Sequence, residues 1–124
     1  MNTLMNTLTN LVNTLLGKDK EIHKEPRMYV IVRGELSETY RLVQGAHALA
    51  QFSLEHHEEF LHWNNSYLIF LKVFNLNELR DFKNNKLNDG KVPFSVFREP
   101  DLDNQMTAIA LYDTGEVVKG LKLA

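Results

Sequence analysis

The sequence predicts an α/β fold, a three-layer sandwich with a four-stranded mixed sheet and helices on both faces, plus an N-terminal amphipathic helix. Continuous apolar runs alternate with helical patterns along most of the chain. Such runs are typical of strands that are covered on both faces. No helical pattern separates the third run from the fourth, so the sheet is expected to be mixed.

Composition limits the classes of function. A chain of 124 residues with 44% hydrophobic content is long enough for one domain with its own core. The absence of cysteine excludes disulfides and thiolate metal sites and favours a cytoplasmic location. A net charge of −2 gives no general attraction to a nucleic-acid backbone, so any phosphate-binding surface should be local.

The N-terminal segment has a helical pattern of its own. Residues 1–17 place apolar side chains at helical spacing and end at a glycine, and residues 18–27 form a charged linker. The helix is too short and polar to span a bilayer, and no basic region marks it as a secretory signal. Its polar face carries no charge, which favours protein contact over a lipid surface. It is therefore a candidate element for homo-oligomerisation, and the alternative is packing against its own domain.

The domain over residues 28–124 opens with a strand, a charged turn and a helix. Met28–Val32 is an unbroken apolar run, and Arg33 and Glu35 follow it at the strand end. Open α/β sheets bind their ligands in the crevice outside the strand ends. Gln44 and His47 then share one face of the helix because they are three residues apart. This segment is therefore the first candidate for a functional site.

Turn and cap signals divide the rest of the domain into further elements. A second helical stretch precedes a turn of asparagines, and an asparagine also caps the following helix. The expected elements are a helix over Leu54–Leu61, a strand over Tyr67–Phe74, a helix over Asn75–Lys86, strands over Val92–Phe97 and Met106–Tyr112, and a short closing segment.

The order of these pieces resembles the type 2 peptidyl-tRNA hydrolase family over about 97 residues, from Met28 to the end. The resemblance rests on the first strand, the turn and the helix motif Q-x-x-H-A at Gln44, followed by three later strand segments and a closing segment. It implies hydrolysis of the ester that joins a peptide to tRNA. It also implies an acidic partner at Glu99 or Asp101 and a threonine matched by Thr107, whereas Tyr40 stands where the family has a lysine.

Several polar side chains could carry an ester hydrolysis without a metal or another cofactor. His47 suits proton transfer at neutral pH, and the alternative is a buried structural histidine. Gln44 could orient substrate. Glu99 or Asp101 could serve as the base that activates water, because clustered acids can raise a carboxylate pKa. Thr107 or a backbone N–H could donate to the carbonyl oxygen.

Cationic and aromatic side chains are candidates for substrate binding. Arg33, Arg41 or Arg98 could hold a phosphate, Tyr40 could offer an aromatic surface, and Glu35 lies beside the first arginine. The alternative for each charge is a solvated surface position. No metal site is expected, because the histidines near residues 56–62 include no pair at i, i+4 spacing.

The sequence is also compatible with two other functions. The same crevice could bind or cleave a small nucleotide, cyclic nucleotides included, as expected of a phage protein that antagonises nucleotide-based defence. Such a ligand needs few cations, which agrees with the acidic composition. The scaffold could also be a non-catalytic interaction module whose active part is the N-terminal helix, because fold does not determine function.

Overall fold

The computed structural model describes residues 25–124, together with the isolated positions Asn6 and Leu8. The helix expected over residues 1–17 and most of the linker over 18–27 therefore lie outside the described residues. The described elements are β1 (Arg27–Arg33), α1 (Glu38–Glu55), α2 (His57–Trp63), β2 (Leu68–Val73), α3 (Leu76–Lys86), β3 (Phe94–Glu99), β4 (Gln105–Asp113) and β5 (Lys122–Leu123), with a single 3-10 turn at Pro100–Leu102.

The sheet of the described domain has five strands in the order β3-β4-β1-β2-β5. Strand β1 pairs with β2 in parallel, and every other pair is antiparallel, which confirms a mixed sheet. The expectation of four strands is wrong because the closing segment also pairs with the sheet. Lys122 and Leu123 lie opposite Lys72 and Leu71 along the outer edge of β2.

Strand β1 separates two hydrophobic clusters. Met28, Val30 and Val32 join one cluster, whereas Tyr29 and Ile31 join the other. Successive side chains of a strand point to opposite faces, so the clusters lie on the two faces of the sheet. The first cluster includes Ala48 and Phe52 of α1 with Trp63 of α2, and the second includes Leu79 and Phe82 of α3. The fold is therefore a mixed α/β sheet with helical cover.

The helical stretch after α1 is not continuous, contrary to the sequence expectation over Leu54–Leu61. The first helix ends at Glu55, and His56 has φ −132° and ψ 59°, outside the helical region. Its ring Nε2 donates to the carbonyl oxygen of Phe94 at 2.8 Å. This bond fixes His56 on the beginning of β3, and a new helix starts at the next residue.

The carboxyl ends of β1, β2 and β3 meet the amino end of β4 at one edge of the sheet, as the strand directions require. We call this the upper edge. Helix α1 starts there after a short turn from β1, with its first turn capped by the hydroxyl of Ser37. None of the helices within residues 25–124 combines the length and apolar character needed to cross a membrane.

Candidate functional site

Helix α1 lies unusually close to the sheet at Gly45. A Cβ atom at this position would lie 2.5 Å from Cε2 of Phe70 and 3.1 Å from Cγ1 of Val30. Only a glycine permits this approach without a shift of the aromatic ring. The neighbouring Gln44 is consequently buried, with 1% of its surface exposed, and its amide reaches the strands beneath.

A chain of hydrogen bonds connects four residues that the sequence analysis named as candidates. The hydroxyl of Thr107 donates to Oε1 of Gln44. The other end of the same amide donates from Nε2 to Oε1 of Glu99 at 2.8 Å. Oε2 of Glu99 in turn accepts the backbone N–H of Asp101 at 3.4 Å. The carboxylate is therefore held on both oxygens, one from α1 and one from the turn after β3.

A β-bulge turns Thr107 toward α1. Phe97 pairs with Ala108 and Arg98 pairs with Met106, so Thr107 is the extra residue of β4. A bulge of this kind sets two residues against one and alters the direction of the side chains. Ala108 contacts the cluster under α1, whereas Met106 joins the cluster under α3. Without the bulge, strict alternation would point residue 107 away from Gln44.

The hydrogen bonds also lower the pKa of Glu99. The amide of Gln44 lowers the pKa of this carboxyl below its ordinary value, with smaller contributions from the backbone of Asp101 and from His47 and Tyr40, and desolvation opposes them. Desolvation in turn raises the pKa of the Tyr40 phenol, as do the charges of Glu99 and Asp101. The expectation that clustered acids raise the pKa of this carboxyl is therefore wrong for Glu99. At neutral pH Glu99 is an ionised acceptor near a protonated phenol.

His47 lies at the rim of this cluster. It is exposed, and its ring stacks on Phe97 with centroids 4.4 Å apart and an interplanar angle of 9°. The alternative of a buried structural histidine is therefore wrong. Stacking on a half-buried ring restricts the imidazole while leaving it open to solvent.

Arg33 and Glu35 form a second group at the upper edge. The guanidinium Nε donates to Oε1 of Glu35, while Nη1 donates to Oε1 of Gln105 at 2.8 Å and to the carbonyl oxygen of Met106 at 3.3 Å. The arginine side chain is 8% exposed and the glutamate 37%. Arg33 therefore connects the end of β1 to the beginning of β4, and its Nε and Nη1 donors are used within the protein.

The other two arginines have different surroundings. Arg41 lines a cavity on the α1 side of the sheet together with Lys72. Arg98 is exposed, and its Nη1 donates to the carbonyl oxygen of Asn104 over 3.4 Å. The three arginines do not share one environment, so they form no single phosphate clamp in this structure.

The cluster of Tyr40, Gln44, His47, Glu99 and Thr107 is the best-formed candidate site. Sequence reasoning found these five residues but missed Phe97 beneath the imidazole and Gln105 beside Arg33. An aromatic residue in a strand gives no sign that it will stack on a helical histidine. Among the described residues, no group of three or more His, Asp or Glu side chains is arranged to hold a metal ion.

Comparison with known proteins identifies a solved structure with a similar fold. No family model matches the chain, and no curated protein matches it. The solved structure of a protein of unknown function from Agrobacterium tumefaciens strain C58 is similar, with a TM-score of 0.61 and 15% identity. The match covers 82% of this chain and 99% of that chain. At this identity the likeness shows that the two proteins share a mixed α/β fold.

Proposed function

We propose that the domain is a metal-independent hydrolase whose first candidate substrate is the ester of peptidyl-tRNA. The observation that supports this proposal is the fixed, ionised carboxylate of Glu99, held by Gln44 beside the exposed imidazole of His47. A positioned base and a proton donor are the two groups that ester hydrolysis by water requires. The choice of substrate rests on the sequence resemblance over residues 28–124.

In the proposed reaction, Glu99 accepts a proton from a water molecule as its oxygen attacks the ester carbonyl carbon. The carbonyl oxygen takes the electron pair, and collapse of the tetrahedral intermediate breaks the bond to the ribose oxygen. His47 gives a proton to that leaving oxygen, which becomes the tRNA hydroxyl, and takes up the proton that the peptide acid releases as it becomes a carboxylate. Glu99 then gives its proton to solvent. A carboxylate with a low pKa is a weak base, so its fixed position must contribute much of the rate.

Thr107 takes a supporting part in this scheme. It is fully buried, and its hydroxyl hydrogen is directed at Gln44 rather than at a ligand. We assign it the role of orienting the amide, which keeps the Nε2 end on Glu99. Backbone N–H groups of the turn after β3 are the remaining candidates for donors to the carbonyl oxygen.

A direct assay of peptidyl-tRNA cleavage tests this function. The wild-type protein should release free peptide, and Glu99→Gln should lower the rate by at least about 100-fold because the base is lost. Asp103→Asn is a matched control, since it removes an exposed carboxylate from the same loop. An intact ester at high protein concentration would exclude this substrate, and equal rates for Glu99→Gln and wild type would exclude the mechanism.

A small nucleotide is the second candidate ligand, in keeping with a phage protein that antagonises nucleotide-based defence. The stacked rings of His47 and Phe97 favour it, because such a surface can receive a base. The net charge of −2 also suits a ligand with few phosphates. In this case His47→Ala should abolish binding of a nucleotide, whereas Asp103→Asn should not.

An interaction module is the third candidate, and it depends on the segment over residues 1–17. We propose that this segment promotes homo-oligomerisation of a cytoplasmic protein. Removal of residues 1–24 should then lower the number of chains per particle, as calculated from the mass measured by light scattering, while the domain keeps its circular dichroism spectrum. An unchanged number of chains would show that the segment is not the oligomerisation element.

A further inference from the structure

A second crevice lies at the upper edge, on the other side of β1 from Thr107. Strands β1 and β2 are parallel neighbours, but β1 leads into α1 on one face and β2 leads into α3 on the opposite face. The crevice between two such strand ends is where open α/β sheets bind ligands. A cavity of about 560 Å³ lies here, and its lining includes Gly34, Lys72, Phe74, Glu78 and Lys122.

The cavity contains a pair of like charges. Lys72 of β2 and Lys122 of β5 are directly opposed in the antiparallel register. Opposed side chains lie on one face with their Cβ atoms about 5 Å apart, and like charges in this relation destabilise a sheet. Neither ammonium group forms an ion pair with another residue in the described part of the chain. The pair is therefore a local concentration of positive charge without a direct ion-pair partner.

Lys72 also lines a neighbouring cavity of about 300 Å³, which it shares with Arg41 and Glu38. Lys72 thus lines both cavities, one together with Lys122 and the other together with Arg41. The first cavity has one carboxylate in its lining, that of Glu78, which accepts the backbone N–H of Phe74 at 2.6 Å. Its two lysines therefore outnumber its one carboxylate.

We propose that this crevice binds a small phosphate-bearing ligand, with a phosphate group between Lys72 and Lys122. A phosphate offers several strong acceptor oxygens, and it would relieve the repulsion between the two ammonium groups. The ring of Phe74, which is 68% exposed, offers an apolar surface to the body of the ligand. A cavity of this volume suits a small molecule, and the overall negative charge disfavours a long polyanion.

This site goes beyond the proposed hydrolase. Neither lysine nor Phe74 takes part in the scheme at Glu99, and β1 separates the two groups of residues within the sheet. The two proposals can therefore fail independently. Binding at Lys72 should be the same in wild type and in Glu99→Gln, whatever the outcome of the cleavage assay.

Calorimetry with inorganic diphosphate tests the phosphate site in the full-length protein. Wild type should bind it with a dissociation constant below about 10 mM. Lys72→Gln and Lys122→Gln should each weaken binding at least about tenfold, the loss expected when a charge-assisted contact is removed. Lys91→Gln, at an exposed lysine outside both cavity linings, should bind as wild type does. No heat with wild type, or equal binding by the lysine variants, would overturn the proposal.

Thermal unfolding distinguishes a binding role of the lysine pair from a structural one. The two roles predict opposite changes in Tm when Lys122 is replaced by glutamine. If the lysines repel each other in the free protein, Lys122→Gln should raise the Tm without ligand. Inorganic diphosphate should raise the Tm of wild type and have a smaller effect on the variant, because a ligand stabilises only the state that binds it. A lower Tm for Lys122→Gln together with an undiminished diphosphate effect would show that the lysine pair is not a binding site.

Comparison of adenosine 5′-monophosphate with adenosine tests the role of Phe74. The monophosphate should bind more tightly than inorganic phosphate, and adenosine alone should bind weakly, because the phosphate anchors the ligand and the ring adds stacking. Phe74→Ala should remove the advantage of the monophosphate but leave diphosphate binding unchanged. Equal binding of the monophosphate and inorganic phosphate by wild type would exclude the assignment of Phe74.

Discussion

Thr107 determines which way the amide of Gln44 points. The hydroxyl donates to Oε1 of Gln44, so the donor end of the amide is directed at Glu99. A reversed amide would direct its oxygen toward the carboxylate and its nitrogen toward the hydroxyl. The lowered pKa of Glu99 therefore depends, through Gln44, on a buried threonine that is not itself in contact with solvent.

Replacement of Thr107 should reveal this dependence. Thr107→Val leaves Oε1 of Gln44 without its donor in a buried site, which should lower the free energy of unfolding by about 1–3 kcal/mol. The pKa of Glu99 should rise at the same time. Urea denaturation and NMR titration measure the two effects. Thr107→Ser keeps the hydroxyl and should retain the low pKa, so a raised pKa in that variant would contradict the proposed role.

The pH dependence of stability should report the charge of Glu99. Its pKa is lowered in the folded protein, so ionised Glu99 stabilises the fold above the ordinary glutamate pKa. That contribution is lost as the pH falls through the folded pKa. The stability difference between wild type and Glu99→Gln should consequently be larger at pH 7 than at pH 3. A difference that stays constant in urea denaturation over this range would contradict the lowered pKa.

Gly45 should be intolerant of even the smallest side chain. The added Cβ of Gly45→Ala would overlap the ring of Phe70, so the helix or the ring must move, at a cost of about 1–3 kcal/mol. Gln44 would move with the helix. Phe70→Leu in the same chain should recover part of the loss, because it removes the ring atoms that the Cβ meets. Additive losses in the double variant would show that the contact is not the cause.

Arg33→Lys should be costly despite the retained charge. Lysine cannot reproduce the planar arrangement of donors to Glu35, Gln105 and the carbonyl of Met106. We expect a loss of about 1–3 kcal/mol in the free energy of unfolding. Arg98→Lys is the matched control, since that arginine is exposed with one long hydrogen bond, and it should change stability by less than about 0.5 kcal/mol.

Sequence patterns predicted the elements of the domain because apolar runs and cap residues act locally. The asparagine at position 75 caps α3 as expected, with its side chain accepting the N–H of Glu78. The fifth strand was not predicted, since Lys122–Leu123 is too short to show a pattern and is defined only by its partner β2. The break at His56 was missed for a similar reason, because it depends on a bond to distant Phe94.

The sequence patterns indicated the five residues of the candidate site but not the contacts between them. Helical spacing placed Gln44 and His47 together, and the position of Glu99 after a strand placed it at the same edge. The bulge at Thr107 has no local signal, because it is a difference in length between two paired strands. The pairing of Lys72 with Lys122 was not predicted for the same reason, since register across a sheet is a property of two segments.

The bulge in β4 means that the fold and the proposed function can be separated by a single residue. A β4 strand that is one residue shorter could pair with β3 without a bulge and keep the same sheet. The side chain at position 107 would then face α3, and the amide of Gln44 would lose the hydrogen bond that orients it. Proteins with this fold could therefore lose or gain the proposed chemistry through the insertion or deletion of one residue in β4, while the sheet stays the same.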